Sequence, residues 1–251
     1  MTLPELLIAV AIMALVAGVM SGLASAVRHN YEHCSEQGLA TQHARVALER
    51  IGRAVRGAYA SENHPGCAIA YAGADPVALL VWTPAGLPAN SAGPPLTREV
   101  VIFAVDPDSP NQLLEVTRPT DGSPLPLDGS ISYASVETLI RAPGSRAVVL
   151  TDLLRLPDNS AGAVQQRGLA RFIVEMRPTA AELTAYRQNT VAWNQLPWPQ
   201  GLSGPNSGVR QVRVRIELQL APAAPASRID ATGEQTLPFL GSAAFSYQVK
   251  R

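Results

Sequence analysis

The residues with the most obvious capacity for chemistry in this 251-residue chain are four histidines, two cysteines and a short acidic loop. His29 and His33 stand four apart, one helical turn, with Glu32 and Cys34 beside them. That spacing could hold a metal ion, but it also suits polar helix positions just outside a membrane, which is the expectation here. The stretch "DPDSPN" offers oxygen ligands at Asp106, Asp108 and Asn111. Calcium loops use such residues, yet no glycine stands at the bend and no later carboxylate completes the set, so a plain turn between strands is expected. Serines occur without a nucleophile elbow, and no glycine-rich phosphate loop is present. The expectation is therefore a non-enzymatic chain with no catalytic, cofactor-binding or metal-ligating residues. Cys34 and Cys67 are too few for a disulfide framework. An unbroken helix from Cys34 to Ala60 would span about 39 Å, and residues 61–67 reach back at most about 25 Å. Two free thiols, or thiols used between molecules, are expected.

One more carboxylate stands out by its setting. Glu5 opens the run Leu6 to Val27, 22 residues without a formal charge, which Arg28 and His29 end. As a helix the run is about 33 Å long at ~1.5 Å per residue, enough to cross a bilayer core. Ala24-Ser25-Ala26 fits a signal-peptidase site, but the segment before the run carries Glu5 in place of lysine or arginine, and the apolar stretch exceeds that of a secretory signal. An ordinary signal anchor would also want positive charge on the cytoplasmic side. A carboxylate within a membrane is expensive unless paired; at a helix N-terminus it is favoured by the helix dipole. Pro4 fits a first helical turn. Ala14, Gly18, Gly22 and Ala26 recur every four residues, a small-residue stripe that lets helices approach closely in lipid.

The stretch "MTLPELLIAVAIMALV" resembles the N-terminal motif of type IV pilins and of the pseudopilins of type II secretion. Thr2, Leu3, Glu5, Leu6 and Leu7 match it in register, with Met1 where phenylalanine is commoner and Pro4 where an aliphatic residue is usual. The resemblance implies cleavage by a prepilin peptidase after a glycine, with Met1 as the new, N-methylated first residue. No basic leader precedes Met1 in this sequence, which implies either the mature chain or a start placed too late. It further implies that Glu5 meets the N-terminal ammonium of a neighbouring subunit during assembly, and that the Ala14–Gly18–Gly22–Ala26 stripe serves in helix packing. The implied partners are other pilins or pseudopilins, the prepilin peptidase and an inner-membrane assembly platform. The implied location is the inner membrane, single-pass, with the remainder of the chain in the periplasm and the subunit assembled into a pilus or pseudopilus.

Beyond Arg28 the helical period continues. Ala44, Leu48, Ile51, Val55 and Ala58 or Tyr59 recur at steps of three and four, while Arg45, Glu49 and Arg53 form opposite-charge pairs on another face. One helix from about Leu3 to Ala60 is predicted, ending at "SENHPG". Strands are predicted at Val77–Thr83, Glu99–Asp106, Gln112–Arg118, Arg146–Asp152, Leu169–Met176, Val209–Leu220 and Ala244–Val249. The clearest is Val209–Leu220, where Val212, Val214, Ile216, Leu218 and Leu220 alternate with Arg213, Arg215, Glu217 and Gln219. Ala244–Val249 is expected to close one antiparallel sheet, covered by the amphipathic half of the helix. Long loops are expected at Pro84–Arg98 and Asn194–Gly208, and "APAAPAS" from Ala221 as another. The fold class is thus α+β: a long N-terminal helix, transmembrane in its first half and amphipathic in its second, packed on an antiparallel β-sheet head. Its parts are residues 1–28, 29–60 and 61–251. Strand order and content also resemble the J-type minor pseudopilins and pilus-initiating minor pilins. The charge balance of 20 basic and 20 acidic residues offers no basic surface for nucleic acid. The rival expectation is a single-pass, membrane-anchored binding or enzymatic domain without a filament role.

Overall fold

The computed structural model describes residues 3–91, 93–127, 131–155, 168–196, 207–221 and 237–250. Met1, the "APAAPAS" segment after Ala221 and most of the expected Asn194–Gly208 loop lie outside them. Helix α1 (Leu3–Arg56) is unbroken through Gly38 and Gly52. The chain divides into two compact units, the first built on α1 up to Gln42 and the second beginning at His43.

The first unit consists, in its described part, of α1 from Leu3 to Gln42. From Leu3 to Glu32 every described side chain is exposed, among them Leu7, Met13, Leu15 and Leu23. The segment is long and apolar enough to cross a membrane.

In the second unit the amphipathic part of α1 buries Ala44, Ala47, Ile51 and Val55, the face its three-four spacing defines. Glu49 pairs with Arg53 on the outer face at 3.0 Å. The helix stops at Arg56, four residues before the expected Ala60, because the backbone is recruited elsewhere. The Tyr59 N–H donates to the Trp82 carbonyl at 2.8 Å, and the Trp82 N–H donates to the Gly66 carbonyl at 2.8 Å. Tyr59 and Trp82 meet edge to face at 4.8 Å. Gly66 sits at φ 78°, and a Cβ there would collide with the Tyr59 carbonyl oxygen, so only glycine suits the bend.

Among the described residues two antiparallel sheets follow, where the sequence pattern predicts one. The first has strand order β1 (Cys67–Ala72), β2 (Asp75–Trp82), β3 (Val100–Val105), β4 (Leu113–Thr117) and β5 (Arg146–Thr151). The second has order β6 (Ala170–Arg177), β7 (Ser207–Leu220) and β8 (Leu237–Lys250). The residue patterns carry this difference. "VALLVW" and "VVIFAV" are continuous apolar runs because β2 and β3 are buried on both faces. One face carries Ala78, Leu80, Trp82 and Ile102, closed over by helix α2 (Tyr133–Arg141) through Tyr133 and Val136. The other face carries Leu79, Val81 and Phe103, with Glu115 of β4 beside Phe103 in register and bound to Arg50 of α1 at 2.7 Å. β7 instead alternates: Val212, Val214, Ile216, Leu218 and Leu220 are buried, and the intervening residues face solvent.

The inner face of the second sheet adds Phe172 and Ala243, and β6 lies closest to β2 of the first sheet. Leu48 of α1 packs over Gly241 of β8. Helix α3 (Ala180–Arg187) contributes Leu183 and Tyr186 to a smaller cluster with Trp193, Leu196 and Val249. Gly208 lies directly under the Trp193 indole, where a Cβ would have no space.

Candidate functional site

The first half of α1 is a chemically distinctive surface. Its exposed residues are almost all apolar, and the family-like positions fall on it. Glu5 lies in the first turns of the helix. Ala14, Gly18, Gly22 and Ala26 are all exposed, and a Cβ built at Gly18 or Gly22 meets nothing within 4 Å. Among the described residues no contact therefore requires glycine at these two positions. What the surface can do is enter a medium that replaces water, a lipid bilayer or the apolar faces of neighbouring helices, since an apolar area this large is strongly disfavoured in water. Met1, the expected processing position, lies outside the described residues.

The histidines near the apolar run, His29 and His33, lie along α1. Just past the apolar run, Glu32 accepts from Arg28 Nε at 2.8 Å and lies 4.0 Å from His29 Nδ1, while His33 hydrogen-bonds Gln37 at 2.8 Å. These are one-turn neighbours along a helix. Among the described residues no group of three or more His, Cys, Asp or Glu side chains is arranged to hold a metal. His43 sits 3.6 Å from Asp152, and His64 packs edge-on to Trp82 at 6.3 Å.

In the Asp106–Asn111 stretch, Asp106 accepts from the Asp108 N–H at 2.8 Å, a local turn. Asp108 is bound by Arg141 of α2 at 2.8 Å, and the hydrogen bond from Arg141 pulls its carboxyl below the usual range. The stretch is the expected turn between two strands, β3 and β4. Cys34 and Cys67 are both free thiols, the first exposed and the second buried. Burial pushes the Cys67 thiol far up, so it is neutral.

Sequence reasoning missed two features of the second unit. Glu99, only 9% exposed, accepts from Ala89 N–H at 2.8 Å, Trp82 Nε1 at 3.1 Å and Leu96 N–H at 3.4 Å. Burial alone would raise its pKa; the donated hydrogen bonds and the nearby Arg98 outweigh burial and leave it lowered. Glu99 thereby ties the long Pro84–Arg98 loop to β2. The second is Arg210, which falls on the inward parity of β7 with Val212 and Val214 and is 6% exposed. The break in alternation at "VRQVRVRIEL" was its signal.

The outer face of the second sheet presents Arg171, Arg213 and Arg215 around a shallow depression of about 340 Å³. Arg171 lies opposite Glu217, and Arg213 opposite Glu175, while Arg215 reaches Glu175 at 3.0 Å. Cross-strand opposite charges of this kind stabilise a wetted face.

Comparison with protein-family models, with curated proteins and with solved structures finds no match for this chain.

Proposed function

We propose that this chain is a minor pilin or pseudopilin: a non-enzymatic subunit of a type IV pilus or type II secretion pseudopilus. The observation that carries it is α1. A single unbroken helix joins a fully exposed apolar half, with Glu5 at its start, to an amphipathic half that packs into an α+β unit. In this role the apolar half holds the subunit in the inner membrane, head outward, until an assembly platform moves it into the filament. There it packs against sister helices.

Glu5 has a physical task in that transfer. Left alone in an apolar medium its carboxylate is costly, and the N-terminal ammonium of an adjacent subunit cancels it. Correctly docked subunits are thereby favoured. The stripe Ala14–Gly18–Gly22–Ala26 lets a neighbouring helix approach closely, in keeping with the open space around Gly18 and Gly22 among the described residues. Met1 is the residue exposed by prepilin peptidase and methylated.

A second reading, a membrane-anchored binding domain without a filament role, is favoured by a groove in the second unit lined by a buried arginine. The N-terminal peptide separates the two. Isolated from native membranes, it is expected to begin at Met1 with a methylated amine. A chain that begins elsewhere or is unmethylated removes prepilin processing and favours the anchored domain.

A further inference from the structure

A groove of about 350 Å³ opens in the second unit between β1 and β6, with Ile69, Leu127, Val174, Met176 and Arg210 among the residues that line it. Its volume is that of a small-ligand site. The walls are largely apolar, and among the described residues no aspartate or glutamate lines it. Arg210 is its charged group, on the buried side of β7. Nε of Arg210 donates to the Pro178 carbonyl at 2.9 Å, and Nη1 donates to the Tyr247 hydroxyl at 3.1 Å. Both acceptors are neutral. A guanidinium has five N–H donors, so these two bonds leave the rest of the fork without a protein acceptor among the described residues. The neighbouring Cys67 thiol is neutral and brings no negative charge. A nearly buried cation with neutral partners is costly unless an anion completes it.

We propose that this groove binds a carboxylate attached to an apolar body: the free edge of the Arg210 guanidinium takes the carboxylate, and Ile69, Leu127, Val174 and Met176 take the body. A planar fork matches a carboxylate with two parallel hydrogen bonds. One guanidinium balances one negative charge, whereas a phosphate dianion would remain half-compensated. The same chemistry is presented by a free aliphatic acid and by the C-terminal carboxylate of an apolar peptide.

Met176 provides a local probe, because the other methionines, Met1, Met13 and Met20, all lie in the N-terminal segment. The full chain, with isotope-labelled methionine methyl groups in a nonionic detergent, is titrated with hexanoate and with an acetylated Ala-Leu-Val peptide. Hexanamide and the C-terminally amidated peptide are the matched neutral probes. The expected result is a saturable shift of the Met176 methyl resonance with the carboxylates, and binding about tenfold weaker or worse for the amides, the loss that accompanies removal of a charged hydrogen bond. Tighter binding of the peptide than of hexanoate identifies a chain terminus as the source; the reverse order identifies a free acid. Arg210→Gln should weaken hexanoate at least about tenfold. Because Arg210 also holds Pro178 and Tyr247, Ala180→Trp serves as the second variant: Ala180 is exposed at the groove, and the indole obstructs entry with Arg210 intact. No saturable Met176 shift with either carboxylate, equal responses to hexanoate and hexanamide, or wild-type titration by Ala180→Trp would each overturn the proposal.

Discussion

Replacing Glu99 by glutamine removes one charge from a nearly buried carboxylate that accepts three hydrogen bonds. Oε1 serves the Ala89 N–H, and Oε2 serves both Trp82 Nε1 and the Leu96 N–H. A glutamine amide offers only one oxygen. Whichever way it turns, its NH2 group faces at least one of these donors, and a buried donor loses its acceptor. Such a loss costs about 1–3 kcal/mol, and the remaining bonds fall from charged to neutral strength. The sum is about 2–3 kcal/mol at neutral pH. The pH dependence follows from the lowered carboxyl. The stabilisation from Glu99 is complete above the ordinary glutamate value of 4.5 and is lost as pH falls through the lower folded-state value. The gap between wild type and Glu99→Gln is therefore expected to be widest near neutrality and to close in acid. Urea titration of the detergent-solubilised chain, followed by tryptophan fluorescence, measures it, since Trp82 is itself one of the donors. A variant within about 0.5 kcal/mol of wild type at neutral pH, the range of an ordinary surface substitution, would refute the argument. So would a gap that is unchanged at acid pH.

Other outcomes follow from the packing. Ile51→Ala empties a fully buried position on α1 and is expected to destabilise the second unit by about 2–5 kcal/mol in the same urea assay, while membrane fractionation of the variant is unchanged. Native thiol labelling with a maleimide at neutral pH should modify Cys34 rapidly. Cys67, buried and held neutral, should react only on unfolding. Equal labelling of the two would mean that β1 does not pack as described.

Most of the secondary structure could be read from local pattern. α1 declared itself by three-four spacing and by an uncharged run, and β7 by strict alternation. The division into two sheets is also written in the residue pattern. Continuous apolar runs in β2 and β3 signal burial on both faces, and the alternation of β7 signals one wet face, so one shared sheet does not accommodate both. β1 escaped because "CAIAYA" is half alanine, a weak strand former that gains its place by pairing with β2 across the turn at Gly73. The two short helices had readable starts. Ser132 caps α2 by accepting from the Ser135 N–H, and Thr179 with Glu182 forms a capping box at α3. Both helices are little more than two turns, too short for periodicity to reveal.

The surfaces were legible in unequal measure. Glu5, Gly18 and Gly22 were visible because their spacing is local. Glu99 was not, because its donors come from three separate points on the chain and only the fold brings them together. The groove has the same character: its walls come from β1, β6 and the chain around Leu127, with Arg210 alone hinted at by its misplaced parity on β7.

The central claim is that the apolar half of α1 is an assembly surface governed by Glu5. A photo-crosslinking residue placed at Gly22, on the small-residue stripe, reports directly on what that surface touches in living cells. With Glu5 intact, covalent adducts to sister pilin-type subunits are expected. With Glu5→Val the protein should still fractionate with the inner membrane, because the apolar run is untouched, but those adducts should disappear. Undiminished adducts to sister subunits in Glu5→Val, or adducts only to lipid in the Glu5 protein, would contradict the account.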